Sequence, residues 1–258
     1  MGTSAKIFEA QTASFRSILP PHYTWDFVEG EHECPPADNV DQIFAAPYLC
    51  YYNLPSIDNV REAHESLREI VHEEGPFDAV MGFSQGAALA ASFLLHHQIE
   101  HPYIPPPFRL AIFVCASLPF SISPNHGLDV TDYYAATGDT TAADLDYLKS
   151  FTKYDGLQSD FTGTAELGKD ETAFGPRIFR FHPHLDEIRI EIPTVHVYGR
   201  QDHYYAQSKY LVELCESIDD RVFTYEHPFG HLVPKSKEAT TGIAKVVEDG
   251  FTRADFFS

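Results

Sequence analysis

The chain has 258 residues, 43% of them hydrophobic, and carries 38 Asp and Glu against 18 Lys and Arg, a formal charge of −20 at pH 7. Such a length suits one large α/β domain with a full core, and such a charge is repelled by phosphate backbones, which argues against nucleic acid as a partner. No apolar run approaches the ~20 residues of a membrane span, the first residues do not read as a basic and apolar leader, and Cys34, Cys50, Cys115 and Cys215 lack C-x-x-C spacing, so a reduced, cytoplasmic protein is expected.

Taken in order, residues 6–19 carry Ile7, Phe8, Phe15, Ile18 and Leu19 near helical spacing, and Pro20-Pro21 ends the run. Residues 23–28 read as a strand before Gly30. Residues 31–56, rich in Pro, Tyr and acids, have no clear period and read as a long loop beside the site. Their aromatics Phe44, Tyr48, Tyr51 and Tyr52 could line an acyl pocket, with Phe120, or pack over the sheet edge. Residues 57–74 form a helix with Val60, His64, Leu67 and Val71 on one face, stopped by Gly75-Pro76.

The apolar run 79–81 then leads into Gly82-Phe83-Ser84-Gln85-Gly86 and an Ala- and Leu-rich stretch over 87–95. A G-x-S-x-G pattern between strand and helix is the context of a nucleophile elbow, in which a strained turn exposes the serine hydroxyl. Both glycines are expected to avoid crowding in that turn. The competing reading is a serine N-cap of an ordinary strand–helix unit.

A second buried strand is expected over 108–116, with Cys115 as a small core residue. Residues 117–191 are the least regular part, apart from a predicted helix over 142–151, and read as a lid or substrate-binding insertion. A strand over 192–198, a helix over 207–218, a strand over 221–225 and a helix over 235–248 complete the chain. Alternating strands and helices predict a single α/β domain, a mostly parallel sheet covered on both faces.

An acyl-transfer serine needs an imidazole to take its proton and a carboxylate to hold that imidazole. Asp202 follows one strand and His231 the next, in the order Ser, Asp, His, each in a loop at a strand's carboxyl end. His227 lies too close to its strand for reach, His203 adjoins the acid, and Asp219 and Asp220 fall on the wrong edge. One oxyanion donor is the Gln85 backbone N–H. The pairs His96-His97 and His182 with His184 lack a Cys or carboxylate set at ligand spacing, so no metal or other cofactor is expected.

Ile7 to Arg16, the elbow pentapeptide, Pro193 to Asp202 and Gly230-His231 together resemble the fungal serine hydrolase (FSH) family over nearly the whole chain, closest to esterases and thioesterases of lovastatin- and citrinin-type polyketide pathways. The resemblance implies an α/β-hydrolase fold, assigns nucleophile, acid and base to Ser84, Asp202 and His231, and implies hydrolysis of an ester or thioester, releasing or trimming a polyketide acyl chain. It also implies a leading apolar strand and a His-Gly-x-Gly-like turn that supplies a second oxyanion donor. Met1-Gly2-Thr3-Ser4 aligns inside that turn, so the strand is expected to be missing and the donor to fall in the Met1 or Gly2 region. An acyl carrier domain as partner conflicts with the acidic charge unless Arg177, Arg180 and Arg189 form a local basic patch. The alternatives are a short-chain carboxylesterase and a non-catalytic protein on a hydrolase scaffold.

Overall fold

The computed structural model describes residues 1–137, 175–215 and 220–256. In chain order it contains α1 (Ala5–Arg16), β1 (His32–Glu33), β2 (Leu49–Cys50), α2 (Ile57–Glu74), β3 (Ala79–Phe83), α3 (Gln85–Glu100), β4 (Leu110–Val114), β5 (Phe120–Ser121), β6 (Leu128–Asp129), α4 (Thr131–Thr137), β7 (Phe179–Arg180), β8 (Thr194–Gly199), α5 (Tyr205–Glu213), β9 (Val222–His227) and α6 (Lys237–Ala254).

Four strands form the central sheet in the order β3-β4-β8-β9, every neighbour parallel. They are apolar on both sides because helices cover both faces. Along β4 the alternation is direct. Leu110, Ile112 and Val114 enter one core with Phe15 of α1 and Ile243 and Val247 of α6. Ala111 and Phe113 enter the other, with Ala87, Ala91 and Leu94 of α3 and Leu211 of α5. A third cluster, with Val60, Leu89, Phe120, Ile122 and Ile178, lies under a small antiparallel sheet in the order β5-β7-β6. That sheet occupies part of the expected insertion; the helix predicted over 142–151 falls outside the described residues.

The expected strand over 23–28 does not form. A strand needs a ladder partner, and among the described residues β3 pairs only with β4. Beside the bare edge of β3 lies a cavity of about 570 Å³, lined by Met81 and Phe83 on one side and Trp25 and Phe27 on the other. No described strand fills the place of the family's leading strand. Residues 31–56, read as loop throughout, contain the short antiparallel pair β1–β2. No helix among the described residues is long and apolar enough to cross a membrane.

Candidate active site

Three helices begin in the ordinary way. Ser4, Ser56 and Ser236 have extended backbones, and each hydroxyl accepts the N–H three residues on at 3.3 Å, the geometry of an N-cap. Ser84 stands at the same place on α3 but makes no capping bond, and its φ of 54° and ψ of −117° put it in a region that side chains avoid. Such a conformation costs about 1–3 kcal/mol and persists only where the surroundings over-determine it. Here they do: Ser84 N–H donates to the Val114 carbonyl at 2.9 Å, and its own carbonyl accepts Ala87 and Ala88 N–H, each at 3.1 Å. The N-cap reading fails, and the hydroxyl is left free of the helix it heads.

The two glycines of the elbow are unequal. A Cβ at Gly82 would lie 2.3 Å from Ala87 N and 2.4 Å from the Gly86 carbonyl, all backbone. At Gly86 it would meet only the edge of the Tyr51 ring, at 3.4 Å. Gly82→Ala is therefore expected to cost about 3 kcal/mol or more, ~6–12 °C in Tm, while Gly86→Ala costs under about 1 kcal/mol. Thermal melts of the two variants check this, and equal Tm values would refute it.

Asp202 and His231 sit on neighbouring loops that are stitched together. Arg200 N–H donates to His227 O at 2.8 Å and Gln201 N–H to Phe229 O at 3.1 Å. Gly199 permits this approach, since a Cβ there would lie 2.1 Å from Phe229 O. Asp202, whose side chain is fully buried, takes His231 Nδ1 at 3.0 Å on Oδ1 and 2.9 Å on Oδ2, and Tyr204 N–H at 2.8 Å. Burial raises its carboxyl pKa, but hydrogen bonds and charge from His231, with a lesser bond from Tyr204, outweigh it and leave the group below its ordinary value.

The His231 ring lies 4.9 Å from the ring of Phe83, the residue before Ser84, and 5.2 Å from Tyr204. Among the described residues no hydrogen bond joins Ser84 to His231; that contact is often long in an unliganded site. Of the competitors, His203 Nδ1 stands 3.8 Å from Asp202 Oδ1, and His227 is buried. The family model described as serine hydrolase (FSH1) matches residues 1–243. The chain belongs to this family.

Esterase alnB of Emericella nidulans is 34% identical to this serine hydrolase, covering 92% of the chain and 89% of the relative. Hydrolase FUB4 of Gibberella moniliformis is 32% identical, covering 95% and 93%. Among solved structures, Arabidopsis thaliana SOBER1 aligns with a TM-score of 0.51 at 13% identity over 97% of the chain and 94% of that protein, a likeness of fold. The fold is that of an α/β-hydrolase, and the protein is a hydrolytic enzyme.

Ser84 opens into a cavity of about 80 Å³ lined also by Met1, Tyr52, Asn53, Gln85, Ser117, Phe120, Tyr134 and Tyr204. Of the aromatics expected there from sequence, Phe120 lines it. Tyr48 does not: its hydroxyl donates to Phe44 O at 2.6 Å. Tyr51 lies on the larger cavity instead, its hydroxyl donating to Val28 O at 3.2 Å and its pKa pushed up to about 12 by burial and the charge of Glu29.

Tyr52, one of the four aromatics of residues 31–56 expected to line a pocket, lines this one; Tyr134 and Tyr204 were missed. The Gln85 side chain clamps Tyr52 and its neighbour: Oε1 accepts Tyr51 N–H at 3.0 Å and Nε2 donates to Tyr52 O at 2.8 Å. Gln85 heads α3, where first-turn N–H groups lack intrahelical acceptors. Of the Met1 and Gly2 pair, Gly2 N–H is spent on Leu49 O at 2.9 Å, leaving Met1 as the one that lines the cavity.

The expected basic patch does not assemble. Arg180 is buried, its guanidinium 4.4 Å from the Phe120 ring. Arg177 pairs with Asp129 at 2.8 Å, and Arg189 donates to the carbonyls of Asp186, Ile188 and Pro183. The histidine pairs are occupied as well: His96 bonds Ser121 Oγ and Ile122 N, and His184 lies 3.3 Å from Glu213.

Proposed function

We propose that Ser84, His231 and Asp202 are the nucleophile, general base and orienting acid of a two-step acyl transfer that hydrolyses an ester or thioester. The observation that carries this is the uncapped, strained Ser84 beside a half-buried His231 bonded at 2.9 Å to a buried Asp202. With Nδ1–H donating to Asp202, Nε2 of His231 carries a lone pair. It takes the Ser84 proton as Oγ attacks the acyl carbonyl, then gives that proton to the departing alcohol or thiol. Water repeats the sequence on the acyl-enzyme and frees the acid. Gln85 N–H and a donor from the Met1 region hold the oxyanion; losing one such donor costs roughly 10²–10³ in rate.

The resemblance to polyketide-pathway hydrolases supports a polyketide acyl chain as substrate. The lining supports oxygen-bearing acyl groups, because Tyr52, Tyr134, Tyr204 and Asn53 are among its residues and tyrosine combines an apolar ring with a polar hydroxyl. Whether the acyl group arrives on a carrier domain is weighed by charge. With Arg180 buried and Arg177 paired, the acidic surface has no basic dock from these residues, which favours a second reading: a carboxylesterase acting on a small free ester.

A fluorophosphonate probe tests the chemistry, and a panel of acyl-carrier thioesters, free thioesters and p-nitrophenyl esters tests the substrate. Covalent labelling at Ser84 is expected; a protein that turns over esters with Ser84 unlabelled refutes the assignment. Turnover of free esters at least tenfold faster than of carrier-bound thioesters is expected of the second reading, and the reverse order excludes it.

A further inference from the structure

The end of β4 touches all three loops of the site. Val114 O accepts Ser84 N–H at 2.9 Å, and Cys115 N–H donates to Val197 O at 2.7 Å. The Cys115 side chain is fully buried. Its Sγ lies 3.6 Å from the carbonyl of Leu232, the residue after His231, and within 4.8 Å of ligand atoms of both Asp202 and His231. Cys115 holds a φ of 48°, a conformation a non-glycine residue keeps only when its surroundings enforce it. Sequence alone reads this residue as a core filler, and apolar packing would be served as well by Ala or Val with a relaxed backbone.

We propose that Cys115 is a positioning residue: its neutral thiol donates to Leu232 O at 3.6 Å and so braces the loop that carries His231, holding the imidazole where its Nδ1 meets the Asp202 carboxylate. The thiol is a donor at any working pH, because burial and the Asp202 charge raise its pKa well above the ordinary value. It touches no substrate atom and acts through His231, so its removal should slow the chemical steps and leave substrate binding alone. The inference rests on the proposed roles of Ser84, Asp202 and His231.

The test compares Cys115→Ser, which keeps a donor, with Cys115→Ala, which does not. Both lose the sulfur's volume and both keep a Cβ at the strained φ, so their melting temperatures should fall together. Cys115→Ala is expected to lower kcat about tenfold, the upper scale of losing one neutral hydrogen bond, with KM within about twofold; Cys115→Ser should recover most of the loss. The His231 Nδ1 proton, followed by NMR in full-length protein, should lose its downfield position in Cys115→Ala and regain it in Cys115→Ser. Equal kcat in wild type and Cys115→Ala, or losses in the two variants that track Tm, overturns the proposal. Fluorophosphonate labelling separates the two layers. Wild type that labels at Ser84 while Cys115→Ala keeps full kcat removes only the role of Cys115. Wild type that turns over without labelling removes the Ser84 reading and this one with it.

Discussion

Ser84→Ala is expected to lower kcat/KM by roughly 10⁴–10⁶-fold while changing Tm by no more than ~2 °C. The two halves follow from different features. The rate loss follows because the hydroxyl is the only atom of the site that forms a bond to the acyl carbon; without it only the oxyanion donors and binding remain. The preserved stability follows because the Ser84 hydroxyl caps nothing, and alanine suffers the φ of 54° no more than serine does. An ordinary capping serine behaves oppositely: Ser56→Ala or Ser236→Ala should cost about 1 kcal/mol and leave activity intact. Steady-state kinetics and melting curves on these variants decide the matter. Ser84→Ala retaining more than a tenth of wild-type kcat/KM would sink the nucleophile assignment.

Where sequence reading succeeded, a local constraint did the specifying. Gly82 is dictated by backbone that would lie 2.3 Å from any Cβ, so the pentapeptide could be recognised without knowing the rest of the fold. Asp202 and His231 meet because both follow apolar strands of a parallel sheet, and chain order with strand ends suffices to bring them together. The failures have a common cause as well. Residues 23–28 alternate like a strand, but ladder bonds come from a neighbour the segment itself does not encode.

Tyr48 and Tyr52 have the same chemistry four positions apart. Which one faces the cavity is decided by the Gln85 amide clamping residues 51 and 52 from 33 or more positions away. Arg180 looked like surface charge. It sits on β7, whose two residues are both buried between flanking strands and the Phe120 ring. Cys115 was correctly read as buried; its bond to Leu232 O joins residues 117 positions apart and leaves no local trace.

Acid should unfold this protein well above the range in which carboxylates titrate. His64, His96 and His196 are each at most 2% exposed and held neutral. Burial and the nearby His96, Arg68 and Arg61 charges keep His64 well below its ordinary value, burial and then His126 and Arg61 take His96 to about 3, and burial alone takes His196 to about 3. In the unfolded chain each protonates near pH 6.5. Below that pH the unfolded state binds more protons than the folded one, so stability falls as pH falls, by up to about 1.4 kcal/mol per histidine per pH unit.

At pH 5.5 the three together remove roughly 4 kcal/mol, a large part of the 5–15 kcal/mol typical of a folded domain. Depressed carboxylates such as Asp202 and Asp129 act in the same direction but only below about pH 4.5, so the window from 6.5 to 4.5 belongs to the histidines. One term opposes them: the net charge of −20 relaxes toward zero as pH approaches the sequence pI near 4.9, easing self-repulsion. Surface charges at protein spacings are screened at moderate salt, whereas the cost of a buried imidazolium is not, so at 0.15 M salt the histidines win.

Tm is therefore expected to drop by roughly 10 °C between pH 7 and 5.5. His196→Gln, which removes one titrating group beside Thr194 Oγ1, should lower stability at pH 7 yet flatten its slope against pH by about 1.4 kcal/mol per unit. Urea titrations at several pH values measure both. A Tm unchanged from pH 7 to 5.5, or a His196→Gln slope equal to wild type, would show that these imidazoles do not govern the acid limit.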